Sequence, residues 1–499
     1  MQLIPKRHPG CWLAWIGFFF CTELVTAGPL VGCQSTSPQE PVAQPNIVFL
    51  IADDLGYGEL TPSASELPAG AAQPAAVPTP QLDQLIRQGT YFSQAYVTGP
   101  NCSPSRAGLL TGRTPTRFGY EFNPIGAGNE DPEAGLPPEE VTLPEVLQQV
   151  GYTTGLIGKW HLGGAAAYHP FRHGFDEFFG FTHEGHYYVP PPYHGVTTML
   201  RRLRLPGNQL GRWQSGKLIY STHMGHAEPD YDANNPILRG GQPVVEPAYL
   251  TDALTREAVD FVDRNHDRPF FLMVSYNAVH SPLQAADAWM EKMESIDDVH
   301  RRIFAAMLAN LDDSVGKILR RLDHWELADQ TLVVFLSDNG GPTRELTSSN
   351  APLRGEKGSM YEGALRIPMV VRWPGIVEAD RVCDDPVSSL DLFVTSAVAA
   401  GAELPPQREG VDLRQTLSGR AQAERRLFWR QGRKAALRAG NWKLVTHSLN
   451  RNQPQWQLFD LAEDPGESVD LFAEEASRLG YMIEVWNQLN EKMQPARFR

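Results

Sequence analysis

The sequence predicts an α/β fold: a doubly wound, mostly parallel sheet followed by a smaller C-terminal antiparallel sheet packed by a helix. Three apolar, β-branched runs are typical of strands buried on both faces, namely Asn46–Ala52, Pro269–Tyr276 and Thr331–Ser337. Helical patterns lie between these runs, and strands that alternate with helices favour parallel pairing. Beyond residue 422 the pattern changes to short strands and one last amphipathic helix, which predicts the smaller sheet.

The other elements follow from periodicity and from turn residues. An Ala- and Pro-rich stretch at 61–80 predicts a surface loop. The predicted helices are 81–88, one that starts near 103, 142–150, 251–264, 301–323, 389–401 and about 473–493. The further predicted strands are 91–97, 151–161, 426–430, 435–437, 442–446 and 457–461. These elements predict a large domain at 46–421 and a C-terminal α+β subdomain at 422–499.

The N-terminal sequence is typical of a targeting segment that is not part of the folded domain. Residues 1–32 combine a short basic region with an apolar run too short to span a bilayer, as in a signal peptide. Leu30–Cys33 resembles a bacterial lipoprotein cleavage box, which would leave Cys33 as a lipid anchor and the only membrane attachment. The alternative is cleavage after Ala27 without an anchor. With a Ser/Pro/Gln-rich tether at 33–45, these features predict an exported protein, in the periplasm or at the cell surface, anchored at the outer membrane.

Charge and cysteine content exclude several classes of protein. The formal net charge of −14 over 499 residues argues against broad electrostatic binding of nucleic acid or of an anionic membrane. An anionic substrate must then be attracted locally, by a few cations and a metal ion. Of the five cysteines, Cys11 and Cys21 fall in the predicted signal peptide, so a disulfide framework is not expected. Cys383 is predicted to be structural.

Cys102 is the first candidate catalytic residue. Ser103 is a suitable helix cap and Pro104 suits the first turn, which places Cys102 at a helix N-terminus where free amides favour an anion. Arg106, about one turn later, can direct two donors onto a tetrahedral oxyanion. The alternative is a half-buried cysteine beside an ordinary helix cap.

Two predicted strands end in oxygen ligands. Asp53 and Asp54 follow the first strand, and Asp338 and Asn339 follow the strand at 331–337. If the two strands lie close in one parallel sheet, the four side chains converge at its carboxyl edge. Hard oxygen ligands in this number favour calcium or magnesium. The alternative is a pair of ordinary Asp- and Gly-rich turns.

Basic and titratable residues follow other strands. Alternation along the strand at 151–161 would point Lys159 and His161 to the same face. Lys159 can hold an anion, and His161 can move a proton near neutral pH. His280 lies just past the strand at 269–276, and Lys357 lies in a glycine-rich segment. The alternatives are solvated lysines and structural histidines.

Several of these strings resemble the type I sulfatases. The first signature is Cys102-x-Pro104-Ser105-Arg106 followed by Leu110-Thr111-Gly112-Arg113, and the second runs from Gly151 to His161. Further similar strings are His280-Ser281-Pro282-Leu283, Leu353 to Gly358 and Arg372 to Gly375. The resemblance covers nearly the whole mature chain and implies the alkaline-phosphatase-like fold, with 46–421 as its catalytic domain.

The same resemblance implies a chemistry. Cys102 would be oxidised to formylglycine by a formylglycine-generating enzyme, and its aldehyde hydrate would attack sulfur. One calcium ion, with magnesium less favoured, would be held by Asp53, Asp54, Cys102, Asp338 and Asn339. Charge on the sulfuryl oxygens would be stabilised by the metal, Arg106, Lys159 and Lys357. His280, with help from Lys357, would protonate the leaving oxygen, and His161 would deprotonate the second hydroxyl. The expected reaction is hydrolysis of a sulfate monoester.

The sequence does not specify the substrate, and it is compatible with other functions. An exported chain with an aromatic-rich insert at 168–249 suggests a sulfated carbohydrate or polysaccharide fragment. The insert contains His183, His186, Tyr187, Tyr188, His194, Arg201 and Arg202, to which no roles are assigned. Zinc ligation by its histidines, or a long irregular loop with a small core, are alternatives there. The rival functions are a phosphatase or phosphonate monoester hydrolase of the same superfamily, and a non-catalytic glycan-binding relative.

Overall fold

The strand at residues 46–52 lies in the interior of the largest sheet, and every residue in it is buried. The computed structural model describes residues 44–60, 76–418, 424–449 and 453–499. The predicted signal peptide, the lipid attachment at Cys33 and nearly all of the tether lie outside these ranges. So do most of the predicted loop at 61–80 and the predicted boundary between 421 and 422.

The strands and helices of the described residues have the following bounds. The strands are β1 (Asn46–Ala52), β2 (Thr90–Phe92), β3 (Ala95–Tyr96), β4 (Thr153–Lys159), β5 (Glu177–Phe181), β6 (Val196–Arg201), β7 (Arg212–Ser215), β8 (Leu218–Ser221), β9 (Leu238–Arg239), β10 (Gln242–Pro243), β11 (Phe270–Ser275), β12 (Leu283–Ala286), β13 (Thr331–Ser337), β14 (Arg366–Ile367), β15 (Met369–Arg372), β16 (Arg381–Cys383), β17 (Val387–Ser388), β18 (Arg426–Gln431), β19 (Lys434–Ala439), β20 (Trp442–Thr446) and β21 (Trp456–Asp460). The α-helices are α1 (Pro80–Gln88), α2 (Cys102–Thr111), α3 (Leu143–Gln148), α4 (Leu250–Asn265), α5 (Asp287–Lys292), α6 (Val299–His324), α7 (Thr343–Leu346), α8 (Glu362–Leu365), α9 (Leu390–Ala399), α10 (Leu413–Leu417) and α11 (Ala476–Asn490).

Ten strands form the main sheet, in the order β10-β9-β5-β4-β11-β1-β13-β15-β2-β16. The five strands from β5 to β13 pair in parallel throughout, and antiparallel pairs begin on either side of them. This central block confirms the predicted doubly wound sheet. Parallel strands bring their carboxyl ends to one edge, which is where ligand sites form in open α/β sheets.

Alternate residues of β1 belong to two separate apolar cores. Val48 and Leu50 pack in a core that also contains residues of α1, α4 and α6, whereas Phe49 and Ile51 pack in a core with residues of α2, α3 and α9. Successive side chains of a strand point to opposite faces. Helices on both faces therefore explain why β1 is an uninterrupted apolar run.

The C-terminal part forms the predicted smaller sheet. β18, β19, β20 and β21 pair in this order and are antiparallel throughout. Met482, Val485 and Trp486 of α11 pack against one face of this sheet, in a cluster with Leu437 and Leu444. Among the described residues, no helix combines the length and apolar character needed to cross a bilayer.

The structure differs from the sequence predictions in two regions. The predicted strand at 91–97 is interrupted by a turn at Ser93 and Gln94, so that β2 joins the main sheet while β3 pairs with β14 and β17. The insert at 168–249 is more regular than predicted. Its strand β5 extends the main sheet, and β6, β7 and β8 form a second four-stranded sheet with β12. Periodicity did not indicate β7, because all four of its residues are exposed and it has no apolar face.

Candidate active site

The ends of β1 and β13 bring acidic side chains together. The two strands pair in parallel with Ala52 opposite Ser337, so Asp53 and Asp338 leave neighbouring strand ends side by side. Both side chains are buried. Four ligand atoms lie within 4.8 Å of one another, one each from Asp53, Asp54, Cys102 and Asp338.

Cys102 is the first residue of α2, and Asn101 occupies the N-cap position. The expectation that Ser103 caps this helix is therefore wrong, because Ser103 already lies inside the first turn. Its hydroxyl donates a hydrogen bond to the carbonyl oxygen of His161 instead. The helix still presents Cys102 at its N-terminal end, where backbone N–H groups lack intrahelical partners.

The Cys102 thiol lies among carboxylates. Its Sγ donates to Oδ1 of Asp53 at 3.4 Å. Burial of the thiol, followed by the charges of Asp338 and Asp53, raises its pKa above the usual range for cysteine. Because the thiolate is the nucleophilic form of cysteine, this environment disfavours attack by the unmodified side chain.

Arg106 forms hydrogen bonds through Nε and Nη1, whereas Nη2 makes ion-pair contacts but no hydrogen bond within the described residues. Nε and Nη2 lie 2.9 and 2.7 Å from Oδ2 of Asp338. Nη1 donates to the carbonyl oxygen of Lys159 at 3.1 Å and to Oγ of Ser275. The guanidinium plane is thus held between α2, β4, β11 and the end of β13, beside Cys102.

Lys159 reaches the same carboxylates from β4. Its Nζ lies 2.6 Å from Oδ2 of Asp53, and neither side chain is exposed. The preceding Gly158 has φ of +111°, and a Cβ there would lie 2.0 Å from the carbonyl oxygen of Ser275, so this strand end requires glycine. Burial alone would raise the pKa of Asp53, but Lys159, together with His280 and Arg106, lowers it below its usual range.

His161 reaches the site by a route that alternation does not predict. β4 ends at Lys159, and His161 adopts a left-handed backbone conformation with φ of +55°. Its Nε2 lies 3.0 Å from the carbonyl oxygen of Pro124, and its buried Nδ1 has no hydrogen-bond partner among the described residues. Burial, followed by the charge of Lys159, holds the pKa of His161 well below its usual value. The side chain is therefore a neutral imidazole with an open acceptor nitrogen.

Asp54 contacts two further basic side chains, those of Lys357 and His280. The Nζ of Lys357 lies 2.7 and 2.8 Å from its two carboxylate oxygens, and Nε2 of His280 lies 3.7 Å from its Oδ2. Burial opposes the charge on Lys357, but Asp54, together with Cys102 and Asp53, outweighs burial and raises the lysine pKa well above its usual value. Asp54 itself has φ of +66°, a conformation that costs energy for a residue with a side chain and that often occurs at functional sites.

The donor atoms fit a hard divalent cation. Asn339 donates through Nδ2 to Oδ1 of Asp54 at 2.6 Å, while its buried Oδ1 has no hydrogen-bond partner among the described residues. Three carboxylates and this amide oxygen are the ligand types that calcium and magnesium prefer. Since Arg106, Lys159 and Lys357 already balance the three carboxylates, a bound divalent cation would make the site net positive. A net positive buried site suits an anionic substrate.

A buried network beside His280 was not indicated by any motif. Arg201 pairs with Glu228 at 2.7 Å and with Glu345. Ser281, the residue after His280, donates to Oε1 of Glu345 at 2.5 Å. The one sequence signal was an arginine at the end of the apolar strand β6, which carries no information about its partners 27 and 144 residues away.

The histidines of the insert do not form a zinc site. His183 pairs with Glu130 at 2.7 Å, and His186 lies 3.5 Å from Asp232. Within residues 44–60, 76–418, 424–449 and 453–499, both groups of side chains that could hold a metal contain Asp53 and Cys102. The zinc alternative for the insert is therefore not supported.

Comparisons with known proteins agree with this arrangement. N-acetylgalactosamine-6-sulfatase of Homo sapiens is 31% identical over 503 residues, covering 93% of this chain and 88% of that protein. Steryl-sulfatase of Homo sapiens is 32% identical over 446 residues, covering 80% and 74%. The crystal structure of Ps i-CgsB in complex with k-i-k-neocarrahexaose has a TM-score of 0.77 and 33% identity, and covers 91% of this chain and 94% of that one.

Family models match almost all of the described chain. The model described as Sulfatase matches residues 45–402, and the one described as N-sulphoglucosamine sulphohydrolase, C-terminal, matches residues 355–498. Phosphonate Monoester Hydrolase of Agrobacterium radiobacter has a TM-score of 0.58 at 19% identity, a likeness of fold alone. The chain therefore belongs to the sulfatase family of the alkaline-phosphatase-like superfamily and is a sulfuric ester hydrolase.

Proposed function

We propose that the protein hydrolyses sulfate esters of a sulfated carbohydrate at Cys102. The observation that carries this proposal is a buried cluster in which Cys102 lies among three carboxylates and three cations at the carboxyl edge of the sheet. The sugar substrate is supported by N-acetylgalactosamine-6-sulfatase, which is named for an amino sugar, and by Ps i-CgsB, which was crystallised with k-i-k-neocarrahexaose.

Arg106, Lys159 and Lys357 stabilise negative charge on the sulfuryl oxygens. Their positions are fixed by Asp338, Asp53 and Asp54 before substrate arrives. Donors that are held in place in a buried site stabilise developing charge without reorganising, and each is worth about 2.7–4 kcal/mol in related oxyanion sites.

Cys102 becomes the nucleophile only after its conversion to formylglycine. The thiol donates to Asp53, and its burial together with the charges of Asp338 and Asp53 outweighs Lys159 and Lys357 and raises its pKa, so the unmodified side chain is not a thiolate nucleophile. The aldehyde hydrate of formylglycine supplies a hydroxyl oxygen that can attack sulfur. In the unmodified chain Sγ stands where that oxygen would lie.

The metal ligands that we propose are Asp53, Asp54, Asp338, Asn339 and the modified residue 102, with calcium favoured over magnesium. Because the three basic residues already balance the carboxylates, the metal would add net positive charge beside the substrate sulfate. The buried Oδ1 of Asn339 supports this assignment, because it has no hydrogen-bond partner in the described part of the chain and a buried amide oxygen without a partner is otherwise costly.

Two histidines handle protons. Nδ1 of His280 donates to the carbonyl oxygen of Ser281 at 2.6 Å, and Nε2 faces the cluster. When the ring carries a proton on both nitrogens, Nε2 donates that proton to the leaving oxygen. His161 would accept the proton of the second hydroxyl while the bond between Cβ of residue 102 and the sulfated oxygen breaks, which releases sulfate and restores the aldehyde. A neutral imidazole whose Nδ1 has no partner among the described residues is suited to this role. The protein acts after export as a lipoprotein attached through Cys33, with a catalytic domain at 46–421 and a subdomain at 422–499.

Mass spectrometry of the tryptic peptide from Gln88 to Arg106 tests the nucleophile. Protein made in a host that contains a formylglycine-generating enzyme should show the mass of the aldehyde at Cys102 and should release sulfate from 4-nitrophenyl sulfate. Cys102→Ala should fold and release none. An intact thiol in an active preparation, or release of phosphate from phosphomonoesters in preference to sulfate, would exclude the proposed mechanism.

A further inference from the structure

A series of aromatic rings leads away from His280 into the insert. The ring centroids of His280 and Tyr231 lie 6.4 Å apart, and those of Tyr231 and Tyr187 lie 5.7 Å apart. Tyr193 follows at 5.7 Å from Tyr187. Tyr187 and Tyr231 are buried and form a small apolar cluster with Leu200. These rings are therefore part of the packing and are not accessible to a ligand.

The outer end of the series is exposed. Tyr220 packs on the same small cluster as Tyr193, and Trp213 stacks on Tyr220 with centroids 5.7 Å apart and ring planes 18° apart. These two residues lie opposite each other on β7 and β8, and β7 is the edge of its sheet. Trp213 leaves 45% of its surface exposed. The guanidinium of Arg202 lies 4.7 Å from the Tyr220 ring centroid.

We call Arg202, Trp213 and Tyr220 the aromatic platform. Nearby cations are already paired, since Arg212 contacts Asp298 and Lys217 contacts Asp287. For Arg202, the described residues provide a ring contact and no carboxylate. The platform therefore offers a flat apolar surface beside a cation whose charge is not neutralised, on a protein whose net charge is −14.

Those two properties match one chemical class. A pyranose ring has an apolar face of C–H groups, and aromatic faces carry the partial negative charge that attracts such groups. A guanidinium donates two parallel hydrogen bonds to a sulfate. A sulfated sugar satisfies both at once, whereas an unsulfated sugar would leave Arg202 without an anion.

We propose that the aromatic platform binds a sugar of the same sulfated polysaccharide whose ester is cleaved beside His280. This inference rests on the proposed function and extends it: the substrate is a chain of several sugars, bound both at the catalytic cluster and at the platform. Ring contacts join His280 to Tyr193, and Tyr193 and Tyr220 pack against the same small cluster, so the catalytic cluster and the platform lie on one connected part of the insert. A chain of several sugars that lies over this part of the insert would reach both.

Steady-state kinetics on two kinds of probe test the proposal. Formylglycine-containing wild type, Trp213→Ala, Trp213→Phe and Arg202→Gln are assayed for sulfate release from 4-nitrophenyl sulfate and from carrageenan, chondroitin sulfate and heparin. Phe171→Ala is the matched control, because Phe171 is also 45% exposed but lies outside the platform. The melting temperature of each variant confirms folding.

We expect Trp213→Ala to raise KM about tenfold for the polymer that wild type desulfates, with kcat unchanged, since loss of one aromatic contact is of this size. Trp213→Phe should recover most of the affinity. Arg202→Gln should raise KM about fivefold at low salt and less at high salt, because its contribution is electrostatic. Phe171→Ala should change neither value, and no variant should change turnover of 4-nitrophenyl sulfate.

The outcomes separate this inference from the proposed function. If converted wild type hydrolyses neither the aryl sulfate nor any polymer, the proposed function fails. If it hydrolyses the aryl sulfate but no polymer, or if Trp213→Ala leaves the polymer KM unchanged, the platform inference fails while the proposed function stands. A dimer in light scattering that Trp213→Ala dissociates, without a change in polymer KM, would assign the exposed edge strand to a second copy of the chain and overturn the inference.

Discussion

Lys159 and Asp53 form an ion pair of 2.6 Å in which both side chains are fully buried. The pair joins β4 to β1 across the end of β11, which lies between them in the sheet. A buried carboxylate is costly unless it is paired. The pair therefore ties the stability of the sheet edge to the electrostatics of the candidate active site.

Replacing Lys159 by methionine removes the cation nearest to the buried Asp53 carboxylate, whose ion pair with Arg106 is longer, at 3.8 Å. The replacement should destabilise the protein by about 3 kcal/mol. Urea unfolding in EDTA measures this. The matched control is Lys217→Met, because Lys217 also lies 2.6 Å from its partner Asp287 but is 63% exposed. Exposed pairs contribute less than about 1 kcal/mol, and equal losses in the two variants would contradict the argument from burial.

Arg106→Lys should lower kcat for sulfate release about 100-fold while the fold is retained. A lysine keeps the charge but cannot contact Asp338, the carbonyl oxygen of Lys159 and Ser275 simultaneously, as the guanidinium does. Arg113→Lys is the control, because Arg113 also pairs with a carboxylate, Glu140, and neither residue belongs to the cluster. A variant with wild-type kcat would show that charge alone is sufficient at position 106.

His173 should limit stability in acid. Burial lowers its pKa from 6.5 to about 4, and neither ring nitrogen has a hydrogen-bond partner among the described residues. Between pH 6.5 and 4 the unfolded chain binds a proton that native His173 does not, so stability falls as the pH falls. We therefore compare the free energies of unfolding of His173→Leu and wild type at two pH values. The difference between them should shift in favour of the variant by about 2 kcal/mol from pH 7.5 to pH 5.

Urea unfolding of His173→Leu at the two pH values measures this difference. His194→Leu is the control, because His194 is exposed and its replacement should leave the pH dependence unchanged. An acid destabilisation of His173→Leu equal to that of wild type would show that other groups cause it.

Calcium should stabilise protein that has been treated with EDTA, by about 2.7 kcal/mol at 100 times its Kd. Melting curves with increasing CaCl2 or MgCl2 measure the effect without reference to activity. Asn339→Leu should shift the calcium titration to higher concentrations, because it removes an oxygen for which the described residues provide no hydrogen-bond donor. An unchanged titration in this variant would remove Asn339 from the ligand set.

Much of the architecture could be predicted from local pattern. Uninterrupted apolar runs predicted β1, β11 and β13, because a strand covered on both faces needs apolar side chains at every position. Cys102 and Arg106 lie four residues apart on one helix, and their spacing alone brought them to the same face. The placement of acidic residues directly after two strands predicted the cluster, provided that the strands were neighbours.

The tertiary structure decided what local pattern could not. β1 and β13 are neighbours because of how the whole sheet packs. The residues of one strand do not specify which other strand pairs with it. His161 turns away from the strand alternation because the backbone enters a left-handed conformation after Lys159. The partners of Arg201, and the rings that lead to Trp213, come from segments distant in sequence.

The sequence by itself determined the fold class, the family and the chemical types of the site residues, because periodicity and motif spacing are properties of adjacent residues. The tertiary structure decided which carboxylate each cation meets and where the insert presents its aromatic residues. Those contacts join residues that only packing of the complete sheet brings together, so no local pattern contains them.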